Sequence, residues 1–199
     1  TLGGNAAAYG ASTDTGAGWA YKADNGFAIS SNIGTKSKST TKVGGEYIET
    51  GLLTEESKTS WATQIGLTKD QYAISAMVNL KYNGWIDEYF STATGDNRSD
   101  GSTNYGLRAW WRPQESGTAT PEVSLGYDYS VVDGYATNDT TDMFFVGLTW
   151  LDTFNADDRI GVAFGQPQMR ENTGAEPFMY EAYYGFKVND SVSVTPTIF

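Results

Sequence analysis

Between Gly101 and Pro113 the sequence reads GSTNYGLRAWWRP, in which Arg108, Trp110 and Arg112 recur at every second position. In an extended chain that spacing puts two guanidinium groups and an indole on one face. An aromatic plane beside forked donors is equipped to take up a sugar or another polar ring. Lys81, Arg159 and Lys187 supply further positive charge, and Glu122, Asp128 and Glu181 oppose it. Opposite charges ranged across a water-filled space set up a transverse field that orients polar solutes and sorts ions. The same charges can equally pair between neighbouring strands and merely line a solvated wall. Both readings stay open from the sequence.

Enzyme chemistry finds less to work with. Glu122 with Asp128 or Glu181 could serve as acid and base, but no local motif surrounds them. The chain has no histidine and no cysteine, which removes His-based triads, His-bound zinc, thiolate metal sites and disulfides. Nothing in the sequence singles out a serine activated by a base. Asp24 with Asn25 and Asn189 with Asp190 read as turn formers and lack the spacing of a calcium loop. The expectation is a protein that is not an enzyme and uses neither cofactor nor metal. With 24 Asp and Glu against 13 Lys and Arg, a net charge of -11, a nucleic-acid backbone would be repelled.

The elements that position these residues alternate with a period of two. Tyr72, Ile74, Ala76, Val78, Leu80 and Tyr82 form one phase of a span whose other phase holds Ser75, Met77, Asn79 and Lys81. Trp61, Ile65 and Leu67, backed by Gln64, make the span before it. The pattern returns from Ala17 to Tyr21, at Phe27, Ile29 and Ile33, from Tyr105 to Trp111, Val123 to Val131, Phe144 to Trp150, Ile160 to Phe164, Tyr180 to Val188 and Val192 to Ile198. A short strand is expected around Val43 to Ile48. Connections near Asp24, Asp70, Ser116, Thr153 and Asn189 are short, and those between them are longer and polar. An antiparallel meander behaves so when its two ends meet different surroundings.

No segment approaches 18 apolar residues, so no transmembrane helix is expected; alternating spans escape that test. The Tyr72 to Tyr82 span would cross roughly 25 Å at a tilt near 45°. Tyr72, Tyr82, Trp61, Trp111, Tyr129, Trp150 and Tyr180 fall near span ends, where amphipathic rings rest at lipid headgroups. The pattern therefore favours an all-β, antiparallel transmembrane β-barrel of about ten or eleven strands, occupying residues 1–199 as one domain. A soluble sandwich or solenoid would show the same alternation with its apolar phase inside. The opening TLGGNAAAYG lacks the basic and apolar regions of a signal peptide.

The block DDRIGVAFGQPQ (Asp157 to Gln168) and the block YEAYYGFKVNDSVSVTPTIF (Tyr180 to Phe199) resemble the carbohydrate-selective porins of the OprB type. Within that family they are most similar to the cyanobacterial outer-membrane group labelled iron uptake porins. The resemblance implies a sixteen-stranded homotrimeric barrel in the cell outer membrane, through which ions and carbohydrates diffuse passively. It also implies a preceding domain that grips a peptidoglycan-linked polymer. No such domain is visible in these residues, and the barrel is expected to be incomplete. Pro196 removes a ladder donor and is expected at an irregularity, and Phe199 falls out of phase with the last strand.

Under this reading Gln64, Asn79, Lys81, Arg108, Trp110, Arg112, Glu122, Asp128, Arg159, Glu181 and Lys187 line the pore. Partners are outer-membrane lipid, further copies of the chain, small ions and polar solutes. Glu46, Glu49, Glu55, Glu56, Asp87, Glu88, Asp96 and Asp100 would sit on long loops, where an inward fold could form a constriction favouring cations. Tyr9, Trp19 and Trp85 join Trp110 as candidate sugar-stacking rings. The alternatives are a surface β-rich carbohydrate-binding module and an envelope-anchoring barrel of little permeability.

Overall fold

In the computed structural model, residues 15–36, 42–43, 46–47, 52, 58–82, 101–133, 140–170 and 177–199 are described, and each long alternating stretch among them is a strand. These are β1 (Thr15–Lys22), β2 (Phe27–Lys36), β5 (Lys58–Thr68), β6 (Tyr72–Tyr82), β7 (Gly101–Trp111), β8 (Glu122–Val132), β9 (Thr140–Leu151), β10 (Arg159–Arg170) and β11 (Met179–Asn189). Two short segments follow, β12 (Val192–Val194) and β13 (Thr197–Ile198). The short strand expected around Val43 to Ile48 is instead a two-residue pair, β3 (Lys42–Val43) against β4 (Glu46–Tyr47). Gly44 and Gly45, a hairpin signal, stand between them in the sequence. No helix occurs among the described residues.

All the long strands join one antiparallel sheet in the order β1-β2-β5-β6-β7-β8-β9-β10-β11, with β12 and β13 both on the far flank of β11. Among the described residues the sheet is open, with β1 at one edge and β12 and β13 at the other. The element contacts run between ladder neighbours, so the sheet forms a single layer.

The strands are staggered. One rung of the ladder passes through Ala28, Gly66, Ser75, Arg108, Gly126, Phe145, Gly165 and Met179. On β2 this rung lies next to the short-turn end at Phe27, whereas β11 runs on past Met179 to its turn at Asn189. At ~3.3 Å per residue and ~4.8 Å between strands, the turns step by roughly 30 Å over a width of roughly 34 Å, an inclination of about 40°.

The register also joins the phases. Leu80 faces Trp61, Val78 faces Tyr105, Leu107 faces Tyr127, Leu125 faces Val146, and Leu148 faces Val162, so one face is apolar from strand to strand. That face is the open one: Ile74 is 56% exposed, Leu107 49% and Trp61 49%, and Tyr21, Ile65, Val78, Tyr105, Leu125, Tyr127 and Val162 are exposed with them. The polar phase is the covered one, with Asn79 and Lys81 at 1% and Asn104, Asp128 and Ser130 at 0%. Buried hydrophobic side chains among the described residues amount to Met77, Val132 and Met143. An exception on the apolar phase is Asp142, which accepts from Gln166 Nε2 at 3.0 Å beside a register shift between Gln166 and Met169.

The short turns are built tightly. Gly26 has φ 88°, and a Cβ there would run into the Thr68 carbonyl; the Gly26 carbonyl accepts from Thr68 N at 2.9 Å, and Lys69 Nζ reaches Asn25 O at 2.6 Å. In the β9–β10 turn Asp152 and Asp157 adopt left-handed φ of 54° and 65°, which aspartate tolerates better than most residues. Asp158, buried beside them, accepts from the amides of Thr153, Phe154 and Asn155 at 2.7, 3.0 and 3.0 Å.

Pro196 lies in the gap between β12 and β13, on the sheet edge. Its carbonyl accepts from Tyr184 N at 3.2 Å, while its ring nitrogen has no proton to return to the Tyr184 carbonyl. The pairings Phe186 with Val194 and Ala182 with Ile198 keep one register across this gap. The register shift falls instead at Lys187 and Asn189.

Candidate functional site

The polar face carries the groups capable of chemistry. Register places Gln64, Asn79, Lys81, Arg108, Trp110, Glu122, Asp128, Arg159, Glu181 and Lys187 on it together. Arg112 lies one residue beyond β7, held by its amide to Gln71 O at 2.9 Å and by its Nε to Asp70 O at 2.9 Å. Of the other candidates, Trp19 pairs with Ser31 on the apolar face and cannot stack a solute on the polar one. Tyr9, Trp85, Glu49, Glu55, Glu56, Asp87, Glu88, Asp96 and Asp100 lie outside the described residues, as does the side chain of Glu46.

This face divides across its height. Toward the long connections it is buried and built from small polar side chains along one rung: Asn79, Asn104, Ser130 and Thr141. Ser60 donates to Asn79 Oδ1 at 2.8 Å, and Asn104 Nδ2 donates to Asn79 O at 3.1 Å and Ser102 Oγ at 3.0 Å. Lys81 is buried one step further along, opposite Ser60 and Ser102. Toward the short turns the face opens. Gln64, Ser124, Arg159 and Lys187 are exposed there, and a shallow hollow is lined by Lys22, Gln64, Ser75, Arg108, Trp110 and Phe145.

Where the halves meet, Arg108 and Asp128 form a bidentate pair, with Nη1 to Oδ1 at 2.6 Å and Nη2 to Oδ2 at 2.7 Å. Asp128 is wholly buried and the Arg108 side chain 23% exposed. Arg108 Nη1 also donates to Leu107 O at 2.7 Å and Tyr127 O at 3.3 Å, and its guanidinium lies 5.5 Å from the centre of the Phe145 ring. The ring in turn lies across Gly126, its ladder partner, so closely that a Cβ at Gly126 would collide with it. Glycine is thus required at that point to let an aromatic ring lie flat on the sheet.

The cross-strand pairing expected as the plain reading therefore holds for Arg108 with Asp128. Lys187 instead meets Asp157, in the turn between β9 and β10, at 2.9 Å with both groups more than half exposed, a geometry worth little energy. Arg112 stacks on Trp110 at 5.3 Å and occupies part of the indole that a sugar would need. Glu122 and Asp128 stand six residues apart on β8, roughly 20 Å, too far to act as a carboxylate pair on one bond. Among the described residues no group of three or more His, Cys, Asp or Glu is placed to hold a metal.

Sequence reasoning missed Asp157, Asp158 and Phe145. The signal for Asp158 was the DD step ending a short polar turn, where a carboxylate commonly gathers backbone amides. Burial pushes its carboxyl up, but the amides of Asn155, Phe154 and Thr153 and the Tyr184 hydroxyl outweigh this and hold it below the usual carboxylate range. Asp152 is likewise lowered, by the Ser116 hydroxyl and then by the Asp157 amide.

Fold and faces together define an all-β antiparallel meander whose polar side is covered toward the long connections and whose apolar side is open. No family model matches the chain, and no solved structure matches it. The curated protein described as "Uncharacterized protein alr4550", from Nostoc sp. (strain PCC 7120), is 30% identical over 134 residues, 62% of this chain. The match spans 22% of that protein, so the chain corresponds to about a fifth of its cyanobacterial relative.

Proposed function

We propose that this sheet is the wall of an outer-membrane porin of the OprB type, through which small hydrophilic solutes and inorganic ions diffuse passively. The observation that carries the reading is the inverted burial. Leaving each large apolar side chain about half exposed forfeits roughly 1 kcal/mol. Over the set from Tyr21 to Val162 the loss reaches the ~5–15 kcal/mol that holds a typical domain folded. Facing lipid, the same side chains are satisfied, and the polar phase turns toward water. The inclination of about 40° falls in the range by which barrel strands tilt, and strands of this length then match the hydrocarbon thickness. The wall would replace part of a solute's hydration, and width and charge at the narrowest point would sort what passes. Closure with further strands, assembly as a trimer and insertion in the outer membrane belong to this proposal.

The hollow beside Trp110 and Arg108 also suits a carbohydrate-binding module. That module would be monomeric and soluble without detergent, which the open apolar face argues against. An anchoring barrel would show the same wall with little permeability. The test is conductance across a planar lipid bilayer containing the full chain. Discrete, reproducible steps are expected. Verified insertion without steps would remove the open pore and leave the anchor.

A further inference from the structure

Independently of that reading, the geometry points to a binding site for planar carboxylates floored by the bare backbone at Gly185. Arg159 supplies the donors for the anion, and Tyr183 is the plate against the body of the ligand. Gly185 pairs with Arg159 on β10. On its other side stands Thr195, whose hydroxyl would lie 3.3 Å from a Cβ at that glycine. Tyr183 and Lys187 flank it two residues away along β11, on the same face. These side chains ring the glycine in a hollow of about 600 Å³ beside the β9–β10 turn. Tyr183 carries its hydroxyl end over Gly161, which lies two residues from Arg159 on β10. Ring and guanidinium are therefore diagonal neighbours, with their strands' side chains rooted roughly 7–8 Å apart.

Charge alone does not choose the ligand, since Asp152, Asp157 and Asp158 line the hollow along with Arg159 and Lys187. What chooses it is which groups are already engaged. Asp157 holds Lys187, and Asp152 accepts from the Asp157 amide and the Ser116 hydroxyl. Asp158 gathers three amides and the Tyr184 hydroxyl. The Arg159 guanidinium is exposed and makes no hydrogen bond or ion pair among the described residues, and neither the Tyr183 nor the Thr195 hydroxyl does. Arg108 lies over the Phe145 ring and Arg112 over Trp110, whereas no described cation or ring covers Tyr183. The unengaged set is thus a fork of donors and two hydroxyls beside an aromatic ring. A carboxylate takes such a fork with two parallel bonds, and a flat body attached to it lies against the phenol. A sugar would need acceptors as well, and the carboxylates here are taken.

The experiment is equilibrium binding of benzoate to the full chain in detergent, followed by NMR of the ligand with empty micelles subtracted and secondary structure verified for each variant. Benzoate should bind about tenfold tighter than acetate, which lacks the plane, benzamide, which lacks the charge, or glucose. Arg159→Gln, an exposed change, should weaken benzoate about tenfold or more, as the loss of a bond to a charged group does. Tyr183→Leu should weaken it about threefold. Gly185→Val fills the floor and should abolish binding. Acetate, benzamide or glucose bound as tightly as benzoate would overturn the proposal, and so would an Arg159→Gln protein that binds benzoate unchanged. Should Gly185→Val fail to fold, Arg159→Gln decides. Conductance is read separately. A chain that binds benzoate without conducting loses the pore and keeps this site; one that conducts without binding benzoate keeps the pore and loses the site.

Discussion

Tyr184 donates its hydroxyl proton to Asp158 Oδ2 over 3.0 Å, tying the middle of β11 to the turn between β9 and β10. The same ring stands edge-on to Phe154 at 6.1 Å and stacks with Phe186 at 5.5 Å. Tyr184→Phe keeps those ring contacts and removes the bond to Asp158 together with the longer one, at 3.5 Å, that the hydroxyl accepts from Asn155 Nδ2. It should lower unfolding free energy by about 1 kcal/mol in detergent, read from urea or thermal melts. An unchanged midpoint would mean that the turn holds without β11.

Acid should loosen the same turn. The Asp158 carboxyl is held below its ordinary range, so the folded state binds fewer protons than the unfolded one. Its contribution is complete above the unfolded value of about 4 and is lost as pH falls through the lower folded value. Asp158→Asn should be less stable near neutrality, because its amide cannot accept three backbone protons, and should respond less to acid. Melts of both proteins from pH 7 down to pH 3 would show two curves converging. Parallel curves would assign acid sensitivity to other carboxylates, Asp152 first among them.

Gly161 pairs with Tyr183, and a Cβ at Gly161 would collide with that ring. Gly161→Ala should therefore destabilise by about 1–3 kcal/mol, as overpacking does. Adding Tyr183→Ala should restore part of the loss by clearing the space. A double-mutant cycle by urea unfolding measures this, and strict additivity would refute the contact.

Leu107 tests the apolar face itself. It stands exposed between Ala76 and Tyr127. In lipid, Leu107→Arg should cost about 2–4 kcal/mol if the position lies near mid-bilayer. On a protein surface in water, the same change stays within about 0.5 kcal/mol. Folding free energies in vesicles for Leu107→Arg and for Ser124→Arg, on the opposite phase, should differ accordingly. Equal values would place both faces in water.

Period-two alternation made the strands, their faces and the alternation of short and long connections legible from the sequence, because a pleated chain alternates its side chains regardless of neighbours. Ladder register depends on partners far along the chain, and what rests on it was not legible. Arg108 could be read as a lumen charge but not as Asp128's partner, twenty positions away. Trp19 was misplaced because Ala17 to Tyr21 is too short to say which phase faces which side until Ser31 and Ile33 are set opposite. The one short strand expected around Val43 to Ile48 is two paired two-residue strands, since a glycine pair in the sequence favours a turn over a continuous strand. Asp158 was invisible because its role lies in backbone amides, which the sequence does not distinguish.

The stagger of the short turns has a consequence for tolerance to change in length. Because the strands lean, each added residue lifts a strand's far end by only about 2.5 Å, so a two-residue duplication in one hairpin raises that part of the rim by roughly 5 Å. Neighbours left at their old length would then meet bare amides and carbonyls above their own last rung. A mismatch of this kind is tolerable where the rim is wet and damaging where it meets acyl chains. Length changes should accordingly be absorbed at the long connections, while the turns at Gly26, Asp70 and Asp190 resist them.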